Sequence, residues 1–456
     1  MIGAVKKIFF AGELRAKILF TLLMLLVCRI GAFVPVPGIN QEAALAVFKS
    51  ASGGGQNLFQ LMDIFSGGAF KQLTIVALGI MPYISASIIM QLLVAIIPSL
   101  QREVRENPEA GRKKITKYTR LATLALGLLQ ASFIVKYALS MNATHPGVVA
   151  KEMLNLTMFG LPWLFYLSVM LTITTGTVFL MWIGEQITEK GIGNGISLII
   201  TLGILSSLPS TIGSIIKQLN LESQEVGQIT FSALVVLLLV FVFIIIGTIL
   251  IIQGQRKIPV QYARRVVGRH ETQGSSSNIP LKVNYAGVIP VIFASSLLMF
   301  PATIGQMLGK GSWIGKMTAM LSPGSWVYLS LFVFLILFFT YFWTATQFNP
   351  EQIASDMKKN GAFIPGIRQG KPTQDFLEST MNKITLIGGI FLAFIAILPV
   401  IVSKVLGVDP RISHFFGGTS LLILVGVILD TTQQIESHLL MKRYDGFMKK
   451  GKIRGR

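Results

Sequence analysis

Ten apolar windows of bilayer-spanning length divide this chain, near residues 18–36, 74–98, 121–140, 161–183, 196–216, 229–252, 286–307, 326–346, 384–403 and 415–435. A spanning helix needs about 20 apolar residues. Within lipid every backbone N–H and C=O must also be satisfied by the protein itself, so a spanning chain is restricted to helices or a closed barrel. The 456 residues are 52% hydrophobic and only 13% charged, roughly half the charge of an ordinary soluble domain. The expected fold is an all-α polytopic membrane protein with ten transmembrane helices.

Ten is even, so both termini lie on one side, and the basic residues choose which. If that side is cytoplasmic, the inside segments are 1–17, 99–120, 184–195, 253–283, 347–383 and 436–456, and they hold 30 of the 40 Lys and Arg. The cytoplasmic assignment follows. Lys6 and Lys7 before the first apolar run resemble a signal peptide. That run is long enough to span and lacks a nearby cleavage site, so it reads as a retained first span. One cysteine, Cys28, excludes an internal disulfide framework, and the four histidines are too scattered for metal-ligand spacing.

Just ahead of the second window, Leu58 to Phe65 is apolar for only about two helical turns. This piece can enter the membrane but cannot cross it. Ser66-Gly67-Gly68 then breaks the helix, and a full-length apolar run follows from Thr74. Irregular backbone at membrane depth is tolerated only where protein or a water-filled cavity surrounds it. A short re-entrant helix feeding a span therefore suggests an enclosed pathway.

Two echoes link the halves of the chain. Gly79-Ile-Met-Pro82-Tyr-Ile84-Ser-Ala86-Ser87 matches Gly287-Val-Ile-Pro290-Val-Ile292-Phe-Ala294-Ser295, and Gly195-Ile-Ser197-Leu198-Ile-Ile200 matches Gly418-Thr-Ser420-Leu421-Leu-Ile423. Both pairs are five spans apart, and an odd offset reverses direction across the membrane. That is the pattern of two inverted pseudo-symmetric halves, with a pathway at their interface. The expected organisation is an N-terminal half over 1–218, span 6 within 219–252, a basic loop over 253–283, and spans 7–8 within 284–346. A second basic loop over 347–383, spans 9–10 within 384–435 and a basic tail over 436–456 complete it.

Ile80 and Ile84 lie one helical turn apart, as do Ile196 and Ile200, so each pair shares a helix face. The repeat relates Ile84 to Ile292 and Ile200 to Ile423. Isoleucine in a span ordinarily faces lipid or another helix; contributed by several spans at one level, it forms a constriction that resists water and ions by dewetting. Arg29 and Lys136 sit where they can snorkel, and Gln91 and Gln130 can face a cavity or bond to another helix. The spans carry no chain of acidic residues of the kind a proton relay uses. In the basic loops, Arg256, Lys257, Arg264 and Arg265 suit either anionic lipid headgroups or a large anionic partner such as nucleic-acid phosphate. Gly191-Ile-Gly193-Asn-Gly195 leads into a span with no strand before it, so it is no dinucleotide fingerprint. No catalytic constellation is present, and neither an enzymatic activity nor a cofactor is expected.

Taken together, Arg29-Ile-Gly-Ala-Phe-Val-Pro-Val-Pro-Gly-Ile39, Phe65-Ser-Gly-Gly-Ala69, Ala77–Ser87, Gly184–Ser197, Ala286-Gly-Val-Ile-Pro290, Gly361–Arg368 and Phe416–Ile423 resemble the bacterial SecY family, channels of the general secretory pathway. The likeness runs over nearly the whole chain. It implies that Leu58, Phe59, Leu61, Met62, Ile64, Phe65, Ser66, Gly67 and Gly68 belong to a plug over about 58–70. It assigns Ile80, Ile84, Ile196, Ile200, Ile292 and Ile423 to a pore ring, and Gln91 and Ser295 to a lateral gate between spans 2–3 and 7–8. It implies the membrane subunits SecE and SecG as partners, with the SecA motor ATPase or the ribosome on the basic loops and Arg368 the most critical contact. Signal sequences and nascent polypeptides are the implied cargo, and membrane lipid the lateral exit, in the bacterial cytoplasmic membrane. The chain departs from the family at Ile252 and Gln253, where charge is usual, and the outside loop Asn142–Thr157 matches nothing in it. The expected function is a passive protein-conducting channel. Its rivals are a secondary transporter, which predicts polar ligands at the midplane, and a membrane-embedded enzyme.

Overall fold

Each apolar window contains a helix over much of its described length, the structure that satisfies its own backbone in lipid. The computed structural model describes residues 12–51, 58–155, 162–218, 231–262, 265–267, 270–272, 276–307, 321, 325–406 and 419–450. In chain order the helices are α1 (Gly12–Gly31), α2 (Gln41–Ala51), α3 (Leu58–Ser66), α4 (Met81–Ile96), α5 (Pro98–Glu106), α6 (Pro108–Thr144), α7 (Lys151–Asn155) and α8 (Trp163–Lys190). They continue as α9 (Gly195–Gln218), α10 (Phe231–Gln253), α11 (Ile289–Met307), α12 (Trp326–Gln347), α13 (Pro350–Lys359), α14 (Lys371–Leu406) and α15 (Thr419–Lys450). Among the described residues six are long and apolar enough to cross a membrane, or seven if α4 and α5, bent by 97°, count as one span. The others fall short for local reasons. Four charges flank or interrupt α1 (Glu13, Arg15, Lys17 and Arg29), the apolar stretch of α11 is Ile289–Met299, and α15 turns polar beyond Asp430.

The second window differs from the single span expected of it. Its helix begins only at Met81, and residues 67–80 run as successive turns with one bridge residue at Thr74. Gly79 has a positive φ of 57°, and Pro82 in the first turn of α4 supplies no N–H to a preceding helix. Surrounding protein takes up the irregular backbone. Ile75 N donates to Val34 O at 3.0 Å, and Pro35 bridges Thr74. From the other side α8 presses in at Gly176, where a β-carbon would overlap the Ile75 carbonyl oxygen. Gly176→Val forces these backbones apart and is expected to cost about 3 kcal/mol or more. Thermal unfolding of the purified protein in detergent checks it; a midpoint equal to the parent's would show that α8 has room to move.

All-α describes the membrane bundle but not its connections. The described residues of 253–283 include β1 (Gln255–Tyr262), β2 (Arg265–Val267), β3 (His270–Thr272) and β4 (Ser276–Lys282), and β5 (Ala362–Phe363) joins from the other loop. β1 pairs antiparallel with β4, Ile258 opposite Ile279, and its far end pairs with β5, giving the order β4-β1-β5. The cause is period-two burial: Ile258 and Val260 are buried while Lys257 and Pro259 are exposed. These residues share a core with Leu281, Phe348, Met357 and Leu377. The segments 253–283 and 347–383, expected as separate loops, therefore fold as one unit. The larger core is a single apolar cluster through the bundle, and it includes Met62 and Phe65 of α3.

Candidate functional site

The site is built around α3, a helix of nine residues inserted into the bundle against α9 and α11. It stops where glycine allows a reversal: Gly67 and Gly68 have φ of 68° and 89°, a region costly for other residues. Gly68 N donates to Asp63 O at 2.8 Å, and the Asp63 carboxylate accepts from Lys71 N at 3.0 Å. Met62 and Phe65 are buried, and Ile64 and Ser66 half-buried. Leu58, Phe59 and Leu61 lie in the helix with side chains outside the described residues. The turn after α3 rests on α9. A β-carbon on Gly67 would stand 2.9 Å from Gly203 Cα and 2.8 Å from Ser206 Oγ.

That turn is also held by hydrogen bonds. Arg29 Nη1 donates to Gly67 O at 2.7 Å, and Ser206 Oγ donates to the same oxygen at 3.0 Å. Arg29 sits where it can snorkel; instead it reaches the turn after α3, with its guanidinium 4.7 Å from the Phe33 ring centroid. Sequence reasoning missed Gly203 and Ser206. Their signal was small residues three apart on one helix face, the pattern by which membrane helices admit a close neighbour.

The candidate isoleucines come from four helices and share one apolar core. Ile80 precedes α4, Ile84 follows one turn later, and Ile200, Ile292 and Ile423 come from α9, α11 and α15. All five are buried in the same apolar cluster, with Ile196 half-buried against it. The two repeat segments share a backbone as well as a sequence. Gly79 and Gly287 have φ of 57° and 59°, Ile84 N donates to Ile80 O at 3.2 Å, and Ile292 N donates to Val288 O at 3.3 Å. Ala86 and Ala294 are both fully buried. Gly418, in the second echo, lies outside the described residues.

Gln91 and Ser295 stand on α4 and α11, which pack together, and α11 also meets α6. Each bonds within its own helix: Gln91 Nε2 donates to Ser87 Oγ at 3.2 Å, and Ser295 Oγ to Ile292 O at 2.9 Å. Gln91 Oε1 is buried without a partner. Next to Ser295, Phe293 meets Phe339 and Trp343 edge-on at 5.6 and 5.9 Å, joining α11 to α12. On the β4-β1-β5 unit, Arg256, Lys257 and Arg368 are all exposed. Arg368 O accepts from Thr373 Oγ1 at 2.7 Å, which fixes the turn below its side chain. Arg265 is in β2 with its side chain outside the described residues, and Arg264 lies outside them altogether.

Fold and site together define a mostly helical, multi-pass membrane protein with a short helix folded back into its bundle. A family model described as SecY matches residues 74–432. The protein translocase subunit SecY of Chlamydia trachomatis serovar D is 60% identical over 455 residues, with 100% of both chains covered. The chain belongs to the SecY family of protein-conducting translocation channels. Its fold is similar to a solved protein conducting channel, with TM-score 0.60 and 20% identity over 92% of this chain and 91% of that one. A SecY structure whose plug domain is described as stabilising the closed channel and maintaining a membrane seal matches with TM-score 0.58 and 19% identity, covering 92% of this chain and 91% of that one.

Proposed function

We propose that this chain passes unfolded secretory polypeptides across the bacterial cytoplasmic membrane and releases membrane spans sideways into lipid. The observation that carries the reading is α3, tied inside the bundle by Arg29 and packed into the apolar core that also buries the candidate isoleucines. On this reading Leu58–Phe70 is the plug, and Ile80, Ile84, Ile196, Ile200, Ile292 and Ile423 form the ring that seals by dewetting. Ten spans make two inverted halves, 1–218 and 219–435, with both termini cytoplasmic. The matching backbone at Gly79 and Gly287 supports that symmetry.

The side exit opens between α4–α6 and α11–α12, with Gln91 and Ser295 on its faces. The unpaired Gln91 Oε1 supports this placement, since a buried acceptor favours any donor that the opening admits. The joined loops 253–283 and 347–383 receive the ribosome or the SecA motor through Arg256, Lys257, Arg264, Arg265 and Arg368. SecE and SecG bind alongside in the membrane. Energy comes from the partner; this chain supplies the path, the seal and the exit. A small-solute transporter needs polar ligands at the midplane, whereas the candidate ring here is six isoleucines.

Photo-cross-linkers placed at the six isoleucine positions test the reading against a stalled secretory chain. Adducts are expected at these positions and not at Ile387, an exposed residue on the outer face of α14. Adducts at Ile387 alone would sink it.

A further inference from the structure

We propose that Arg29 is the latch of the plug: its guanidinium grips the Gly67 carbonyl in the closed state and thereby sets how readily the channel opens. The inference rests on the reading of Leu58–Phe70 as a plug, and it identifies the outside residue that retains it. Arg29 belongs to α1, and the 2.7 Å bond from Nη1 to Gly67 O is charge-assisted, the strong class of hydrogen bond. Among the described residues no carboxylate pairs with this guanidinium. A cation within the bundle is costly without a polar partner, so the carbonyl stabilises Arg29 as much as Arg29 stabilises the turn.

The Gly67 carbonyl is free to accept because α3 has just ended and the positive φ at Gly67 turns the chain out of the helix. Ser206 is the weaker of the two donors. Its hydroxyl has one proton, shared between Gly67 O at 3.0 Å and Gly203 O at 2.7 Å. A cavity of about 30 Å³ borders the bond, lined by Arg29, Phe65, Gly67, Ile80 and Gly203 among others. It has room for water, which offers the guanidinium a replacement partner once the plug lifts. The grip falls on backbone and not on a plug side chain. Opening therefore depends on residue 29 and on glycine at 67, in addition to the burial of Met62 and Phe65 in the core.

The test uses the full chain, reconstituted in proteoliposomes with the subunits that copurify with it, and reads ion efflux without substrate. Arg29→Gln is expected to raise the resting leak roughly tenfold to a hundredfold, the range for losing a charged hydrogen bond. Arg29→Lys keeps the charge but not the planar fork, and falls between. Ser206→Ala raises the leak less than about tenfold. Gly67→Ala displaces the carbonyl by its β-carbon and leaks like Arg29→Gln, which keeps the proposal testable if that variant folds poorly. In a chain deleted for 58–70 the leak is high, and Arg29→Gln adds nothing to it. Equal increments in both backgrounds overturn the latch, because Arg29 then acts on the pore or on general stability. A leaky deletion beside tight Arg29→Gln and Gly67→Ala overturns the latch but leaves the plug standing. A tight deletion overturns both.

Discussion

Ile84→Asn combined with Ile423→Asn is expected to raise ion flux through the resting channel by about tenfold or more, because an amide gives water a foothold in an apolar constriction. Ile84 is 3% exposed and Ile423 0%, and they reach the cluster from helices in opposite halves. Each change also buries an amide at a cost of about 1–3 kcal/mol, so lowered stability alone can mimic a leak. Ile84→Val with Ile423→Val separates the two effects. It removes one methylene at each site, costing about 0.5–1.5 kcal/mol apiece, and leaves the wall apolar. A conductance rise confined to the Asn pair, in planar bilayers at matched thermal stability, supports the ring. Equal conductance in parent and Asn variants shows that the seal lies elsewhere. Substrate selection should loosen with the seal, so defective signal sequences should pass more readily through the Asn variant.

Arg368→Glu is expected to abolish most transport driven by a motor or ribosome, by roughly tenfold or more, while the chain folds normally. The side chain is exposed, and the contact that shapes its turn is made by its backbone oxygen to Thr373 Oγ1. Reversing the charge therefore spares the local core of Ile258, Val260 and Leu377. It places a carboxylate, repulsive to an anionic partner, on a unit whose Arg256 and Lys257 are also exposed. Added salt should weaken partner binding to the parent, since exposed charges are screened beyond about 8 Å at physiological ionic strength. Transport by inverted vesicles gives the readout. Parental rates with the Glu variant would remove Arg368 from the docking role, and a detergent melting curve shows whether the fold has been spared.

Much of this site was legible in advance because the signals were local. The half-length run at Leu58–Phe65 with its Gly-Gly stop is a helix of nine residues ending at Ser66. The motif shared by Gly79–Ser87 and Gly287–Ser295 has the same glycine conformation in both copies. Other features depended on distant partners. The continuous apolar run from Thr74 concealed seven residues of non-helical backbone before Met81, since hydropathy measures solvent preference and not conformation. Alternation over Lys257–Val260 was readable, yet a basic composition suggested only a loop. Arg29 looked like a snorkelling cation because its acceptor, a backbone carbonyl 38 residues away, has no letter in the sequence.

By itself the sequence determined a mostly helical, multi-pass membrane chain and the short helix ahead of the second apolar window. Each follows from what lipid does to a short stretch of chain: it excludes charge and demands a closed set of backbone hydrogen bonds. Only the tertiary structure decided that two basic loops make one folded unit, that isoleucines of four helices are buried in one apolar core, and that the turn after α3 is held by Arg29 and Ser206. Those outcomes rest on contacts between distant segments and on backbone groups common to every residue, and such contacts are settled only when the bundle packs.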